Sequence, residues 1–309
     1  MANVISGVGM SHSPLIMSNP EAAGERGDHF LQTMNQTKDW IEGQEIDVII
    51  LISDDHYNTY FYNHMPTFTI GIGECEGWGD WDIPKYKIPV HTDLAKHILQ
   101  SGLNQGFDLS FTLSMKVDHG HTQGIYFLNP ELKTPVVPIA VNTSAPPLPT
   151  MERCFQLGEM IRKAIESFEQ PLKICVVASG GISHWVPIPK VDSTREEDQV
   201  MVNVIRNGRT VIDDPETFRM NREARVKKVQ NGPVNEQWDK EFLTAIEQGD
   251  LDKLRNWTAE EIEEHGGNGG QEIRNWMVLS GAVRRLKPEI ACYEPIPEWL
   301  TGMGVVRFS

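Results

Sequence analysis

The chain reads as an α/β protein, a three-layer α/β/α sandwich built around a central mixed sheet. Three observations predict it. Short runs rich in Val, Ile and Leu recur along the sequence. Segments with a helical repeat of apolar residues lie between them. No internal repeat, low-complexity block or long linker divides the 309 residues. Runs that are apolar at nearly every position suit strands buried on both faces, and such strands need helices on either side of the sheet. We expect a single domain spanning 1–309, with a surface helical sub-structure around 193–265.

The elements follow in order. Candidate strands are Val4–Gly9, Asp47–Ile52, Phe68–Ile72, Val136–Val141 and Ile174–Ala178, the second and last almost wholly apolar. Candidate helices are Asp93–Leu103, Met151–Phe168, Trp238–Gln248 and Gly270–Leu286. In Met151–Phe168 the residues Phe155, Leu157, Met160, Ile161 and Ile165 recur at helical spacing and make one core-facing stripe. Thr258 followed by Glu261 has the form of a capping box opening a short acidic helix. The Pro-rich stretches Pro146–Pro149 and Pro187–Pro189 read as loops, and the charged segment Ser193–Asn231 as surface.

Bulk properties narrow the class of function. At 39% hydrophobic and 23% charged residues, the chain has the balance of a folded soluble protein and can bury a sizeable core. A formal charge of −15 argues against nucleic acid or an anionic membrane as partner, since both reward clustered Lys and Arg. Cys75, Cys154, Cys175 and Cys292 lie far apart, with no CxxC pair, and read as reduced and structural. No apolar stretch is long enough to span a bilayer, and the N-terminus lacks a basic signal-peptide region. We expect a cytoplasmic protein with no nucleic-acid or membrane partner.

Histidine placement is the informative feature. Of ten histidines, four stand in short polar contexts, three of them just after predicted strands. His12 lies in Ser11-His12-Ser13-Pro14, His56 in Asp54-Asp55-His56-Tyr57-Asn58, and His119 in Val117-Asp118-His119-Gly120. His184 closes Ser179-Gly180-Gly181-Ile182-Ser183-His184. In open α/β sheets, ligands bind beyond the carboxyl ends of strands, so these side chains can converge there. A single strand-end histidine is more often a packing residue. Four with Gly, Ser or Asp beside them point to a metal or proton-transfer site, because those neighbours permit tight turns and orienting contacts. His29, His64, His91, His97 and His265 lack this context and read as solvated or structural; His121, two residues from His119, is ambiguous.

Imidazoles with one carboxylate and open positions form the facial triad of non-haem Fe(II) oxygenases, and no Cys accompanies these histidines to make a structural zinc site. The carboxylate is open on spacing alone. Asp54, Asp55 and Asp118 each adjoin a histidine and more naturally orient it. Glu272 follows the flexible run Gly266-Gly267-Asn268-Gly269-Gly270, whose backbone can approach a buried centre closely. A first-turn Glu is also simply favourable to a helix dipole.

These same residues carry a resemblance. The four histidine motifs, followed by Gly270-Gln271-Glu272-Ile273-Arg274-Asn275-Trp276, match in order and spacing the class III (type III) extradiol ring-cleavage dioxygenases. That superfamily includes the protocatechuate 4,5-dioxygenase catalytic subunit. Trp238-Asp239, Glu247-Gln248-Gly249 and Pro295-Ile296-Pro297-Glu298-Trp299 resemble 2,3-dihydroxyphenylpropionate 1,2-dioxygenases. Glu76-Gly77-Trp78-Gly79, Asp93–Ile98 and Arg153–Gly158 look more like the protocatechuate type. Relatives commonly carry Gln after the fourth Ser-His; here it is Trp185, a departure that bears on the substrate side of the pocket.

The resemblance implies that His12, His56 and Glu272 bind Fe(II), and that His119 and His184 stay unligated and move protons on substrate and oxygen. His119 is expected as base and His184 as acid. The implied activity is opening of a catechol ring by O2 to a semialdehyde, the substrate being a catecholic aryl acid or a methoxylated lignin-derived catechol. The full-length catalytic pattern suggests one self-sufficient catalytic domain, with the need for a small partner subunit left open, and a homo-oligomer is expected. Two other readings share the same residues: a zinc-dependent hydrolase on the same ligand set, and a non-catalytic binding protein of the same fold.

Overall fold

The computed structural model describes residues 1–309 and contains a nine-stranded mixed sheet. In chain order the strands are β1 (Asn3–Met10), β2 (Val48–Ser53), β3 (Phe68–Gly77), β4 (Lys87–Ile88), β5 (Ser110–Val117), β6 (Val136–Val141), β7 (Lys173–Ser179), β8 (Pro288–Ile296) and β9 (Thr301–Phe308). Across the sheet they run β4-β3-β6-β2-β7-β1-β9-β8, with β5 paired to β3. Strands β6, β2, β7 and β1 are parallel to one another, whereas β3 and β9 join them antiparallel.

The helices are α1 (Leu15–Ser18), α2 (Gly24–Glu42), α3 (Thr92–Asn104), α4 (His119–Leu128), α5 (Met151–Glu166), α6 (Gln199–Asn207), α7 (Pro215–Lys227), α8 (Glu236–Gln248), α9 (Leu251–Arg255), α10 (Ala259–Gly266) and α11 (Ile273–Ala282). None is long and apolar enough to cross a membrane.

The period-two alternation of the central strands explains the three layers. Val48, Ile50 and Ile52 of β2 enter one apolar cluster with residues of α3, α5, α8 and α11. Ile49 and Leu51 enter the other, with residues of α2 and α4. In β7, Ile174, Val176 and Ala178 divide from Cys175 and Val177 in the same way. A strand apolar on both faces is therefore satisfied only by helices on both sides.

Several elements go beyond the expected set. Strand β8 carries two prolines and sits at the sheet's outer edge, where a missing N–H is tolerated. Strand β9 holds two glycines that weaken its strand signal. Helix α2 is polar overall, and only Gly27, Phe30, Met34, Thr37 and Ile41 with Thr33 turn inward. The expected helix Gly270–Leu286 is shorter, because Gly269–Glu272 forms a tighter 3-10 turn before α11. The Thr258–Glu261 capping box is present at α10, and all four cysteines are free and buried.

Register sets the site. Met10 pairs with Ser179 and Ile52 with Ala178, so the carboxyl ends of the adjacent strands β1, β7 and β2 finish level. The loops carrying His12, His184 and His56 leave the sheet side by side.

Candidate active site

Each of the five side chains singled out in the sequence is buried, and they meet at this strand end. His12 Nε2 lies 3.5 Å from His56 Nε2 and 3.3 Å from Glu272 Oε2. His56 Nε2 is 3.2 Å from Glu272 Oε1, and His184 Nε2 is 3.0 Å from that same oxygen. The His119 ring stacks on His56 with centroids 4.2 Å apart. Glu272 reaches the cluster because the 3-10 turn aims it inward, where Oε2 accepts a hydrogen bond from the Gly181 amide at 2.6 Å.

The glycine run before Glu272 has a steric cause. A Cβ on Gly269 would sit 2.1 Å from the His184 ring, so only glycine lets this backbone lie against it. Gly267, at φ +81°, takes a left-handed conformation suited to glycine. Trp185 lies half-buried against Gly267 and is not among the residues that line the cavity.

The orienting contacts do not follow sequence adjacency. Asp118 faces His56: its Oδ2 is 3.2 Å from His56 Nδ1 and accepts from the His56 amide at 2.8 Å. Asp118 Oδ1 meanwhile caps α4 by accepting from Gly120 N. His119 is held by Asp80, with Nδ1 2.9 Å from Oδ2, a residue that nothing in the local sequence marks. Asp55 orients no histidine and accepts from the amides of Asn58, Thr59 and Tyr60 instead. Asp54 lies on the donor-atom side, its Oδ2 3.3 Å from His56 Nε2. His12 Nδ1 pairs with Ser179 Oγ at 3.0 Å. His121 points away, with Nε2 on the Ile139 carbonyl, and burial pushes its pKa down to about 4.

Burial and neighbouring charges shift the titration of the cluster in opposite directions. Burial drives His12 down to about 3, against the raising effect of Glu272. Burial also disfavours charge on His56, but Asp54 and Asp118 raise it well above its ordinary value. Asp54 is pushed up to about 7 by burial and by Glu272. Its Oδ2 is buried with no hydrogen-bond partner, an unsatisfied acceptor that costs free energy.

The donor set fits a divalent metal. Two imidazole nitrogens and a carboxylate stand within 3.5 Å of one another, and Asp54 adds an unpartnered oxygen close by. Donors about 2 Å from one ion are spaced in this way. No thiolate is among them, so the set suits the borderline metals bound by imidazole and carboxylate.

A small cavity opens above the cluster. The five residues form its floor, and Trp81, Val186, Ile188, Trp299 and Leu300 give it apolar walls. The charged segment expected at the surface also contributes, since α7 supplies Arg222 and Val226 to the lining. Asp80 and Trp81, which directly follow Glu76-Gly77-Trp78-Gly79, and Arg222 are not among the residues that the sequence singles out.

Residues 6–304 match the family described as the catalytic LigB subunit of aromatic ring-opening dioxygenase. A 2,3-dihydroxyphenylpropionate/2,3-dihydroxicinnamic acid 1,2-dioxygenase of Photorhabdus laumondii subsp. laumondii is 33% identical over 310 residues, covering 96% of this chain and 94% of the relative. The protein of that name from Escherichia coli O81 is 31% identical over 308 residues, covering 96% and 95%. Among solved structures, an uncharacterized protein of Escherichia coli K12 aligns with a TM-score of 0.54 over 98% of this chain and 99% of its own, at 13% identity. That last likeness is one of fold alone. The chain belongs to the LigB family, and is an extradiol-type aromatic ring-opening dioxygenase.

Proposed function

We propose that the chain is an Fe(II)-dependent enzyme that opens the ring of a catecholic aryl acid with O2 to a semialdehyde-type product. One observation carries this reading: His12, His56 and Glu272 place their donor atoms within 3.5 Å at the floor of a cavity that His119 and His184 also line. His12, His56 and Glu272 would hold the ion. A ferrous ion there would supply the electron path that lets triplet dioxygen react with a singlet catechol.

The chain's own residues then divide the proton work. Asp80 on Nδ1 of His119 fixes the tautomer and leaves Nε2 as the acceptor toward the cavity. This supports His119 as the base that takes a catechol proton. His184 has acceptors at both nitrogens, the Ile182 carbonyl at 3.1 Å and Glu272 at 3.0 Å. Burial opposes its charge, but Glu272 raises its pKa above the ordinary value. That environment supports His184 as the proton donor when the O–O bond breaks. The apolar walls give a bound ring apolar contact beside both histidines.

The aryl-acid substrate class is drawn from the relatives, which are named for dihydroxyphenyl acids. Residues from Ser11 to Thr301 build the site and its supports, so we infer that the whole chain acts as one catalytic unit. The test is oxygen uptake by Fe(II)-loaded protein across a panel of acidic, neutral and methoxylated catechols. One O2 should be consumed per substrate, with a yellow product. Turnover without oxygen would support a zinc hydrolase, and no turnover on any ring a binding protein; either overturns the reading.

A further inference from the structure

The cavity wall holds a charge that the ring chemistry above does not use. Among the lining residues, Arg222 of α7 is the sole guanidinium or ammonium. Its neighbours on the same helix are neutralised, Arg219 by Glu216 and Glu223 and Arg225 by Asp198. Arg222 has no carboxylate partner. Its Nη1 donates to Asn58 Oδ1 at 2.9 Å and its Nη2 to the carbonyl of His56.

A second guanidinium stands beside it. Arg209 donates through Nη2 to the same Asn58 Oδ1 at 3.0 Å and through Nε to the Asn58 carbonyl, and its guanidinium lies 3.9 Å over the Trp78 ring. Neither arginine forms an ion pair, although the chain has 43 acidic residues and a net charge of −15. The nearby buried acids already have partners: Asp118 has His56 and Asn58, Asp80 has His119, and Asp55 has backbone amides. Two like charges sharing one amide oxygen repel, and a bound anion relieves that repulsion. A guanidinium presents five donors in a planar fork, and Arg222 spends two of its N–H groups on neutral oxygens.

The geometry points to an anion subsite at Arg222, backed by Arg209 and Asn58, that receives the side-chain carboxylate of the substrate. The inference rests on the ring-opening reading and adds the substrate's orientation. Arg222 touches the carbonyl of His56, so an acid bound there has its carboxylate one residue from the metal-binding floor. The catechol hydroxyls then point inward and the acidic side chain lies under α7. The ligand class is an arene with a carboxylate on a short chain, and Arg222 discriminates it from a neutral ring.

The experiment compares 3-(2,3-dihydroxyphenyl)propionate with 3-propylcatechol in wild type, Arg222→Gln and Arg222→Lys. In Arg222→Gln the ratio of kcat/KM for the acid over the neutral catechol should fall about 100-fold, chiefly through KM. Arg222→Lys should recover part of the ratio, keeping the charge without the fork. Equal losses on both substrates would overturn the subsite and make Arg222 a support for His56. A second measurement needs no turnover: 3-phenylpropanoate, which lacks the hydroxyls, should perturb tryptophan fluorescence in wild type, since Trp81 and Trp299 line the cavity. The same titration should fail in Arg222→Gln. No binding to wild type, or equal binding to both proteins, overturns the subsite. Loss of the ring-opening reading would show instead as absent oxygen uptake with this anion binding intact.

Discussion

Asp118 serves His56, from which it stands 62 positions away, and leaves the adjacent His119 to Asp80. Successive residues at a strand-to-helix junction point in different directions. Asp118 is the N-cap of α4, and its carboxylate turns back to take Gly120 N and His56 together. Two carboxylates thereby fix two imidazoles.

The two pairings can be separated by isosteric changes. Asp118→Asn should weaken metal binding by about 10–100-fold, because it frees the Nδ1 side of a candidate metal-binding ring. Asp80→Asn should retain stoichiometric metal and lower kcat by about 10²–10⁴-fold, because the tautomer of His119 is no longer fixed. Metal analysis beside steady-state kinetics checks both. Metal loss confined to Asp80→Asn would reverse the two assignments.

The donor set itself is tested by truncation. His12→Ala, His56→Ala and Glu272→Ala should each lose most bound iron while keeping the circular-dichroism spectrum of the parent. His119→Ala and His184→Ala should keep iron and lose at least about 10²-fold in kcat. Full iron occupancy in His12→Ala would remove that residue from the set.

The sheet and the site differ in how far they were legible. Strands β2 and β7 announce themselves because burial on both faces demands unbroken apolar runs. The edge strand β5 alternates polar and apolar residues over Ser110–Val117, a period-two signal that the candidate strands do not include, whereas β8 contains prolines that blur its pattern. The four histidines stand out because they sit in short motifs of Gly, Ser and Asp, whereas Glu272 is chosen over Asp54, Asp55 and Asp118 only by the family resemblance. The supporting residues do not stand out. Asp80 acts on His119 from 39 positions away and Asp239 accepts from Ser183 across 56, and such contacts are set only when the chain is packed. The Asp55 pairing failed for a related reason, since a carboxylate beside a histidine met the nearer backbone amides first.

Gly269 gives a steric test of the loop. Gly269→Ala would place a methyl group 2.1 Å from His184 and force the ring or the loop to shift. Iron content should change little and kcat should fall by at least about 10-fold, since a displaced acid misses its proton transfer. Unchanged kcat would mean that the His184 ring is free to move without consequence.

The pH dependence of the metal-free protein should run opposite to that of metal binding. Burial disfavours charge on His56, yet Asp54 and Asp118 raise its pKa well above the ordinary value of 6.5. Asp54 and Asp55 are likewise raised to about 7 by burial and neighbouring carboxylates. Raised groups bind more protons folded than unfolded, so their contribution is fully present at low pH and is lost as pH rises through the folded values. His12, lowered to about 3, acts in the other direction only below 6.5, where the unfolded chain takes up its proton. Above pH 6.5 the raised groups alone remain, and the Tm of chelator-treated protein should fall as pH increases. Metal must displace the His56 proton, so its apparent affinity should rise over the same interval, by up to about tenfold per pH unit for one proton released. Thermal melts and metal titrations at matched pH values check the crossing. A metal-free Tm that climbs above pH 6.5, or metal affinity independent of pH there, would show that His56 is already neutral in the folded chain.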